Sequence, residues 1–307
     1  MPDPISPRPL EPAGVAVAVF CCALWGGNSV ATKYAIADHA LPPLGGAALR
    51  FIAALPVVAW VCFRGGSGFG VPRRHWPLLV LNAAMTALQI TTFNWGTSHS
   101  DAGRSSVFIN VHPLVTAPLA WLVLGEHLGT RGLAGLLTAA AGVAVILARK
   151  FGGAGLEGDL VILVSAVVFG VQTVVQKLTL PKIPARTLVF AQTWVALPML
   201  GLASLLLEGT SGYHFTSASV GGVLYQGAMS SGVCYSLWLI LLSRYSASRL
   251  ATIAFLTPLF GLALSNLMRG EPLAPPLLLG GALVGMGIYL VAAGKPTEPL
   301  ARPAEAV

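Results

Sequence analysis

The chain has 307 residues, 55% of them hydrophobic and only 9% charged, whereas soluble globular domains carry about 25% charge, so a water-soluble fold is excluded. Its formal charge of +7 comes from 18 Lys+Arg against 11 Asp+Glu. The basic residues fall between long apolar runs, which is the pattern of membrane orientation and not of a nucleic-acid surface.

A bilayer core about 30 Å thick needs about 20 mostly apolar residues of helix. Cutting the chain at its charged and Gly- or Pro-rich breaks predicts ten such spans: Gly14–Ala37, Leu41–Phe63, Trp76–Thr97, Ala102–Leu124, Arg131–Ala148, Asp159–Leu180, Thr187–Leu207, Ser219–Leu242, Ala247–Met268 and Pro272–Ala293. The fold class is therefore an all-α membrane protein of ten transmembrane helices, with the lipid bilayer as its first partner. Residues 1–13 contain Pro2, Pro4, Pro7, Pro9 and Pro12, and residues 294–307 are similarly Pro- and Ala-rich; both tails are predicted to be disordered. The first apolar run passes through Trp25, Asn28 and Lys33 without a convincing cleavage site, which argues against a cleaved signal peptide. Cys21, Cys22, Cys62 and Cys234 all lie inside apolar runs. Neither a disulfide framework nor a metal site follows from their spacing, and no cofactor is implied.

Alternating the loops between two sides puts twelve basic residues on the side of the N-terminus and five on the other, with Arg50 inside the second span. Both termini are then cytoplasmic.

The chain also matches itself. At an offset of 145, Asp101–Lys150 lies over Ser246–Lys295 without a gap, pairing Arg104 with Arg249, Pro113 with Pro258, Gly125-Glu126 with Gly270-Glu271 and Gly142 with Gly287. At an offset of 144, Trp25-Gly26-Gly27-Asn28 lies over Phe169-Gly170-Val171-Gln172, and Lys33 over Lys177. Residues 14–150 and 151–293 thus form two five-span repeats. Five is odd, so the second repeat enters the membrane from the opposite side, an architecture suited to alternating access around a midplane site.

The run from Phe93 through Asn94, Trp95, Gly96 and Thr97 to Arg104, then His112-Pro113-Leu114 and Gly125-Glu126-His127-Leu128, has a second copy in Arg249, Thr257-Pro258-Leu259 and Gly270-Glu271-Pro272-Leu273. It resembles the EamA type of the drug/metabolite transporter superfamily, and the aromatic content looks most like that family's bacterial aromatic-amino-acid exporters. The resemblance implies a ten-helix carrier or exporter of small metabolites. Its cavity would be walled mainly by the first, third, fourth, sixth, eighth and ninth helices.

Polar side chains in a span normally face the bundle interior. On the third span Asn82, Thr86, Gln89 and Phe93 share one helical face. The offset of 145 carries that face onto Gly227, Ser231, Cys234 and Trp238, with Tyr235 alongside. Trp25, Asn28 and Gln172 form a matching set on the first and sixth spans, with Phe169 opposite Trp25, and His112 precedes Pro113 in mid-span. Trp25, Asn28, Asn82, Thr86, Gln89, Phe93, His112, Gln172, Ser231, Tyr235 and Trp238 are the candidate substrate contacts. The competing reading of the same polar residues is interhelical hydrogen bonding. Gly26, Gly27 and Gly170 permit a close neighbour or a change of helix direction, while Pro113 and Pro258 free a backbone carbonyl in mid-span. Lys33 and Lys177 sit near helix ends, where they either snorkel or gate. These seven are the candidate hinges and gates. Glu126 and Glu271 are expected to cap the fifth and tenth helices.

All eleven acids fall outside span centres, and no Walker loop is present, so transport without ATP is expected, down the solute gradient or with weak coupling through His112. An almost uncharged midplane disfavours phosphorylated solutes and leaves small neutral metabolites, amino acids above all. A catalytic constellation is not visible in the spans, so no enzyme is predicted. A channel-like pore and an organic-cation exporter remain the alternatives, and the oligomeric state is not legible.

Overall fold

A computed structural model describes residues 11–36, 40–66, 70–126, 129–148, 155–254, 256–270 and 275–292. The helices are α1 (Pro12–Ile36), α2 (Pro43–Arg64), α3 (Trp76–Ser98), α4 (Ala102–Ile109), α5 (His112–Leu124), α6 (Thr130–Ala148), α7 (Leu156–Thr179), α8 (Ala185–Leu207) and α9 (Ser217–Leu224). A π-helical segment, Tyr225–Cys234, joins α9 to α10 (Tyr235–Arg244), and α11 (Ala247–Ala254), α12 (Thr257–Arg269) and α13 (Pro275–Ala292) follow. No strand occurs among the described residues, and six helical runs among them are long and apolar enough to cross a membrane. The chain is an integral membrane protein.

Three expectations are revised. α1 starts at Pro12, because proline at the first helical position gives up no hydrogen bond, so residues 12 and 13 leave the predicted tail; the rest of both tails lies outside the described residues. The fourth predicted span is two helices, α4 and α5, broken at Asn110-Val111, and the ninth is likewise divided between Ala254 and Thr257. Each second piece carries its proline, Pro113 or Pro258, in its first turn, where the missing N–H costs nothing. The predicted capping glutamate also caps a different helix. The Glu126 carboxylate accepts from the Ala247 and Ser248 N–H at 3.1 and 2.9 Å, closing the start of α11 in the other repeat. Glu271 lies outside the described residues.

Packing follows the duplication. α6 lies against α13 through equivalent glycines: a Cβ on Gly142 would sit 2.6 Å from the Gly280 oxygen, and one on Gly287 2.5 Å from the Gly135 oxygen. α1 packs on α12 as α7 packs on α5, and α2 faces α8. Loop contacts sort into two ends. At one, Arg104 pairs with Asp159, His214 N–H donates to the Ala40 oxygen at 2.6 Å, and Glu208 caps α2 through Leu44 and Gly45 at 2.9 Å each. At the other, Glu126 meets α11. Large apolar side chains such as Phe20, Trp60, Leu122 and Leu206 point outward while Asn82, Gln89, Gln172 and Gln226 are buried, the inside-out arrangement that a lipid surround favours.

Candidate functional site

Within the bundle lies a cavity that, counted with its open mouth, encloses about 810 Å³ of non-atom space. Both repeats build it. α1 supplies Trp25, Asn28 and Ser29, α3 supplies Thr86, Gln89, Ile90 and Phe93, and the break after α4 supplies Ile109, Asn110 and His112. From the second repeat come Phe169 and Gln172 on α7, Thr193 on α8, Ser230 and Ser231 on the π segment, Tyr235 on α10 and Thr257 on α12. α2 adds Arg50 and Phe51. The second and seventh spans therefore share the wall with those the resemblance implied.

One side of the cavity is aromatic. Trp25 and Phe169, equivalent at the offset of 144, meet edge to face with centroids 6.2 Å apart, and His112 lies 4.4 Å from Phe169. The other side is polar. Gln172 Nε2 donates to Thr86 Oγ1 at 2.6 Å and to the Tyr235 hydroxyl at 3.3 Å, tying the third and sixth spans to the eighth. Gln176 also donates to Tyr235. Gln89 Nε2 donates to Ser165 Oγ at 3.0 Å, and that hydroxyl returns a bond to the Gln89 oxygen at 2.8 Å.

Nine of the eleven candidate contacts line this one space; Asn82 and Trp238 do not. Asn82 Nδ2 donates to the Leu78 oxygen at 2.7 Å and Thr179 Oγ1 at 3.0 Å, where α3 is fastened to α7. Trp238 is buried behind Trp25, with ring centroids 4.9 Å apart. The reason is the π segment: its i to i+5 winding adds nearly a residue per turn, so the face runs through Ser230, Ser231 and Tyr235 instead of on through Cys234 and Trp238. Hydropathy periodicity assumes α winding and carries no sign of this.

The hinge candidates have defined contacts too. α1 and α7 run unbroken through Gly26, Gly27 and Gly170, so these glycines admit neighbours and do not divide the helix. A Cβ on Gly26 would lie 2.6 Å from Phe260 Cβ, and one on Gly170 2.7 Å from Val115 Cβ, equivalent contacts onto the pieces that follow the two breaks. Lys33 Nζ donates to the Ser98 oxygen at 3.4 Å, and Lys177 Nζ to the Leu242 and Tyr245 oxygens at 2.7 and 2.6 Å. Each lysine thus satisfies carbonyls at the end of its repeat's third helix, where a cation suits the helix dipole.

Sequence reasoning missed Arg50 as a wall residue, together with Ser29, Phe51, Ile90, Ile109, Asn110, Thr193 and Ser230. Phe169 and Thr257 were noticed as repeat partners but not chosen. Arg50 carried a signal, a charge inside a span, but hydropathy does not tell a cavity-facing arginine from one reaching the interface. It is 3% exposed. Its Nε and Nη2 donate to the Ser231 hydroxyl at 3.0 and 2.8 Å, and Nη1 reaches Gln226 Oε1 at 3.5 Å. The cavity therefore holds a fixed positive charge that the sequence reading did not place there, and no Asp or Glu is among its lining residues.

A family model described as the EamA-like transporter family matches residues 12–148 and again residues 156–293. A "Probable amino-acid metabolite efflux pump" of Salmonella typhimurium is 29% identical over 294 residues, covering 89% of this chain and 93% of that protein. A "Probable terminal-alkyne amino-acid exporter" of Streptantibioticus cattleyicolor is 29% identical over 238 residues, covering 76% and 79%. An uncharacterized transporter of Bacillus subtilis is 28% identical, with 89% of each chain covered. A solved structure with a TM-score of 0.76 and 20% identity spans 92% of this chain and 98% of its own, a likeness of fold.

Proposed function

The chain belongs to the EamA-like transporter family, and from that premise we propose a carrier of small metabolites, amino acids and among them aromatic ones, across the bacterial inner membrane. The names of the Salmonella and Streptantibioticus relatives point to amino-acid export. The observation that carries the reading is the cavity: both repeats build it, and it is aromatic on one side, amide- and hydroxyl-lined on the other, and free of carboxylates among its lining residues. Stacking selects planar or apolar side chains, and the amides and hydroxyls orient a polar end. The fixed charge of Arg50 opposes an organic cation in the same space, which ranks that alternative lower.

The architecture in this reading is ten spans in two inverted five-helix repeats, residues 14–150 and 151–293, with both termini cytoplasmic. The sorting of loop contacts into two ends supports it. Alternating access hinges at the breaks before Pro113 and Pro258. Gly26 and Gly170 let the broken helices slide at close range, Gly27 does the same for Tyr225 of the π segment, and Lys33 and Lys177 latch opposite ends of the bundle. Asn82 and Trp238 act from behind the wall. With no carboxylate in the cavity wall, the solute gradient drives flux.

In proteoliposomes, labelled phenylalanine uptake is expected to saturate, to accelerate with unlabelled phenylalanine on the far side, and to persist when the proton gradient is collapsed. Unsaturable flux without trans-acceleration means a pore. Accumulation that an uncoupler abolishes means a proton relay, with His112 the first residue to test. A membrane-impermeant maleimide on intact cells should label Ser211→Cys and spare Arg73→Cys, since both positions are exposed and the native cysteines are buried; the reverse pattern would invert the topology.

A further inference from the structure

We infer that Arg50, set by Ser231 and Gln226, is the site that takes the carboxylate of the transported molecule, so that a free carboxylate is a condition of transport. This deepens the carrier reading of the cavity and rests on it.

A guanidinium offers five N–H donors. Here the Nε and Nη2 edge, whose fork matches the two oxygens of a carboxylate, closes on a single hydroxyl oxygen, that of Ser231. The Nη1 side finds only Gln226 Oε1 at 3.5 Å, and that oxygen already accepts from Thr32 Oγ1 at 3.1 Å. No Asp or Glu among the described residues pairs with Arg50. A buried cation with neutral partners is costly in a membrane-embedded bundle, and such residues characteristically mark substrate paths. An anion bridging Nη1 and Nη2, each of which keeps one further N–H beyond the bonds to Gln226 and Ser231, supplies what the protein itself does not.

Three further features fix the class of anion. Arg50 is the only Lys or Arg among the lining residues, whereas phosphoryl groups are held by clusters of them, so the ligand carries a single negative charge. The wall also carries the Trp25, Phe169 and His112 ring cluster, which suits an apolar body. Asn28 Oδ1 and His112 Nδ1, both on lining residues, are buried without a hydrogen-bond partner, and Asn28 Oδ1 is an acceptor ready for an ammonium N–H. Carboxylate, ammonium and apolar side chain together describe a zwitterionic amino acid. The π winding of Tyr225–Cys234 is the local cause, since it presents both Gln226 and Ser231 to α2, and Gly227 admits the backbone of Arg50 and the Ala53 methyl at 2.5 Å from where a Cβ would stand.

The test uses the intact protein in proteoliposomes with three probes of similar shape: phenylalanine, phenethylamine without the carboxylate, and 3-phenylpropionate without the amine. The wild type should carry phenethylamine at least tenfold more slowly than phenylalanine, and 3-phenylpropionate should compete with phenylalanine. Arg50→Gln should lower phenylalanine flux at least tenfold without lowering phenethylamine flux. Arg50→Lys should fall between the two, since a point charge replaces the fork. A folding defect scales both fluxes alike, so equal loss of the two in Arg50→Gln, or wild-type flux of phenethylamine equal to that of phenylalanine, overturns the inference. If the wild type carries no amino acid, the carrier reading fails and the Arg50 site is judged by thermal stability in detergent. Stabilisation of the wild type but not of Arg50→Gln by 3-phenylpropionate upholds the site, and its absence rejects it.

Discussion

The third helix of each repeat occupies the same place in the duplication, yet the two are fastened differently. α3 is α-helical throughout and docks on α7 by side-chain hydrogen bonds, Asn82 to Thr179, Gln172 to Thr86 and Gln89 to Ser165. It meets α8 through Ala83, Ala87 and Ile90 against Ala196 and Leu200. Its counterpart, Ser217–Arg244, is π-wound in its middle and adds a row of close glycine contacts to hydrogen bonds such as Thr32 to Gln226 and Tyr225 to the Leu24 oxygen. Cβ atoms on Gly222, Gly227 and Gly232 would fall within 2.5–2.8 Å of Ala31, Ala53 and Val57 atoms. Between membrane helices a hydrogen bond averages about 0.6 kcal/mol, while a glycine contact tolerates no added atom. The first repeat therefore leans on side-chain hydrogen bonds, with one glycine contact where Gly96 meets Gly158, and the second leans on three glycine contacts, which bring Gln226 and Ser231 up to Arg50.

The largest expected effect separates Trp238 from Phe93, which the offset of 145 makes equivalent. Trp238 is buried and outside the cavity, whereas Phe93 is in its wall. Trp238→Ala should cost about 3–5 kcal/mol of stability through the void it leaves, seen as a lowered melting temperature in detergent, with the phenylalanine-to-threonine flux ratio kept. Phe93→Ala should shift that ratio. A changed ratio in Trp238→Ala and none in Phe93→Ala would mean that the eighth helix is turned the other way.

Next in size is the contrast between Gly227 and Asn82. Gly227→Leu drives its side chain into Ala53 and the Arg50 backbone, an overpacking cost of about 1–3 kcal/mol or more. Asn82→Leu gives up one interhelical bond and should cost at most about 1.7 kcal/mol. Comparing the folded yields of the two variants is sufficient; equal yields would remove the distinction between steric and polar fastening.

The duplication and most of one cavity face were legible because they depend on composition and spacing: Thr86, Gln89 and Gln172 are polar at helical intervals, and Pro113 and Pro258 stood out as hinge positions although the division of their spans was not foreseen. What was not legible depends on winding and partner choice. The π segment rotates Trp238 out of the wall and Ser230 into it, and Glu126 reaches across to α11 instead of closing the helix it precedes. Arg50 was visible as a charge but not as a neighbour of Ser231, because that contact joins residues 181 positions apart.

A smaller effect tests the aromatic wall itself. Trp25 lies between the cavity and Trp238 and meets Phe169 edge to face. Trp25→Ala should remove stacking of about 0.5–1.5 kcal/mol, a loss of roughly two- to tenfold in apparent affinity for phenylalanine and less for threonine. Equal losses for the two solutes would make Trp25 a packing residue, leaving the polar side of the cavity to carry all selectivity.

The smallest effect goes to the polar fastening of α3. Gln89 and Ser165 exchange two bonds, Nε2 to Oγ at 3.0 Å and Oγ to the Gln89 main-chain oxygen at 2.8 Å. Ser165→Ala removes both, and Gln89→Leu removes only the first. A double-mutant cycle on thermal stability should therefore return a coupling near 0.6 kcal/mol, the average for such pairs, and no more than about 1.7. Gln89 also lines the cavity, so Gln89→Leu should slow transport beyond its effect on stability, whereas Ser165→Ala, behind the wall, should not. A coupling near zero would mean that α3 is held by its alanine contacts with α8, and the contrast with the glycine-seated eighth helix would then reduce to the size of the small residues at the two interfaces.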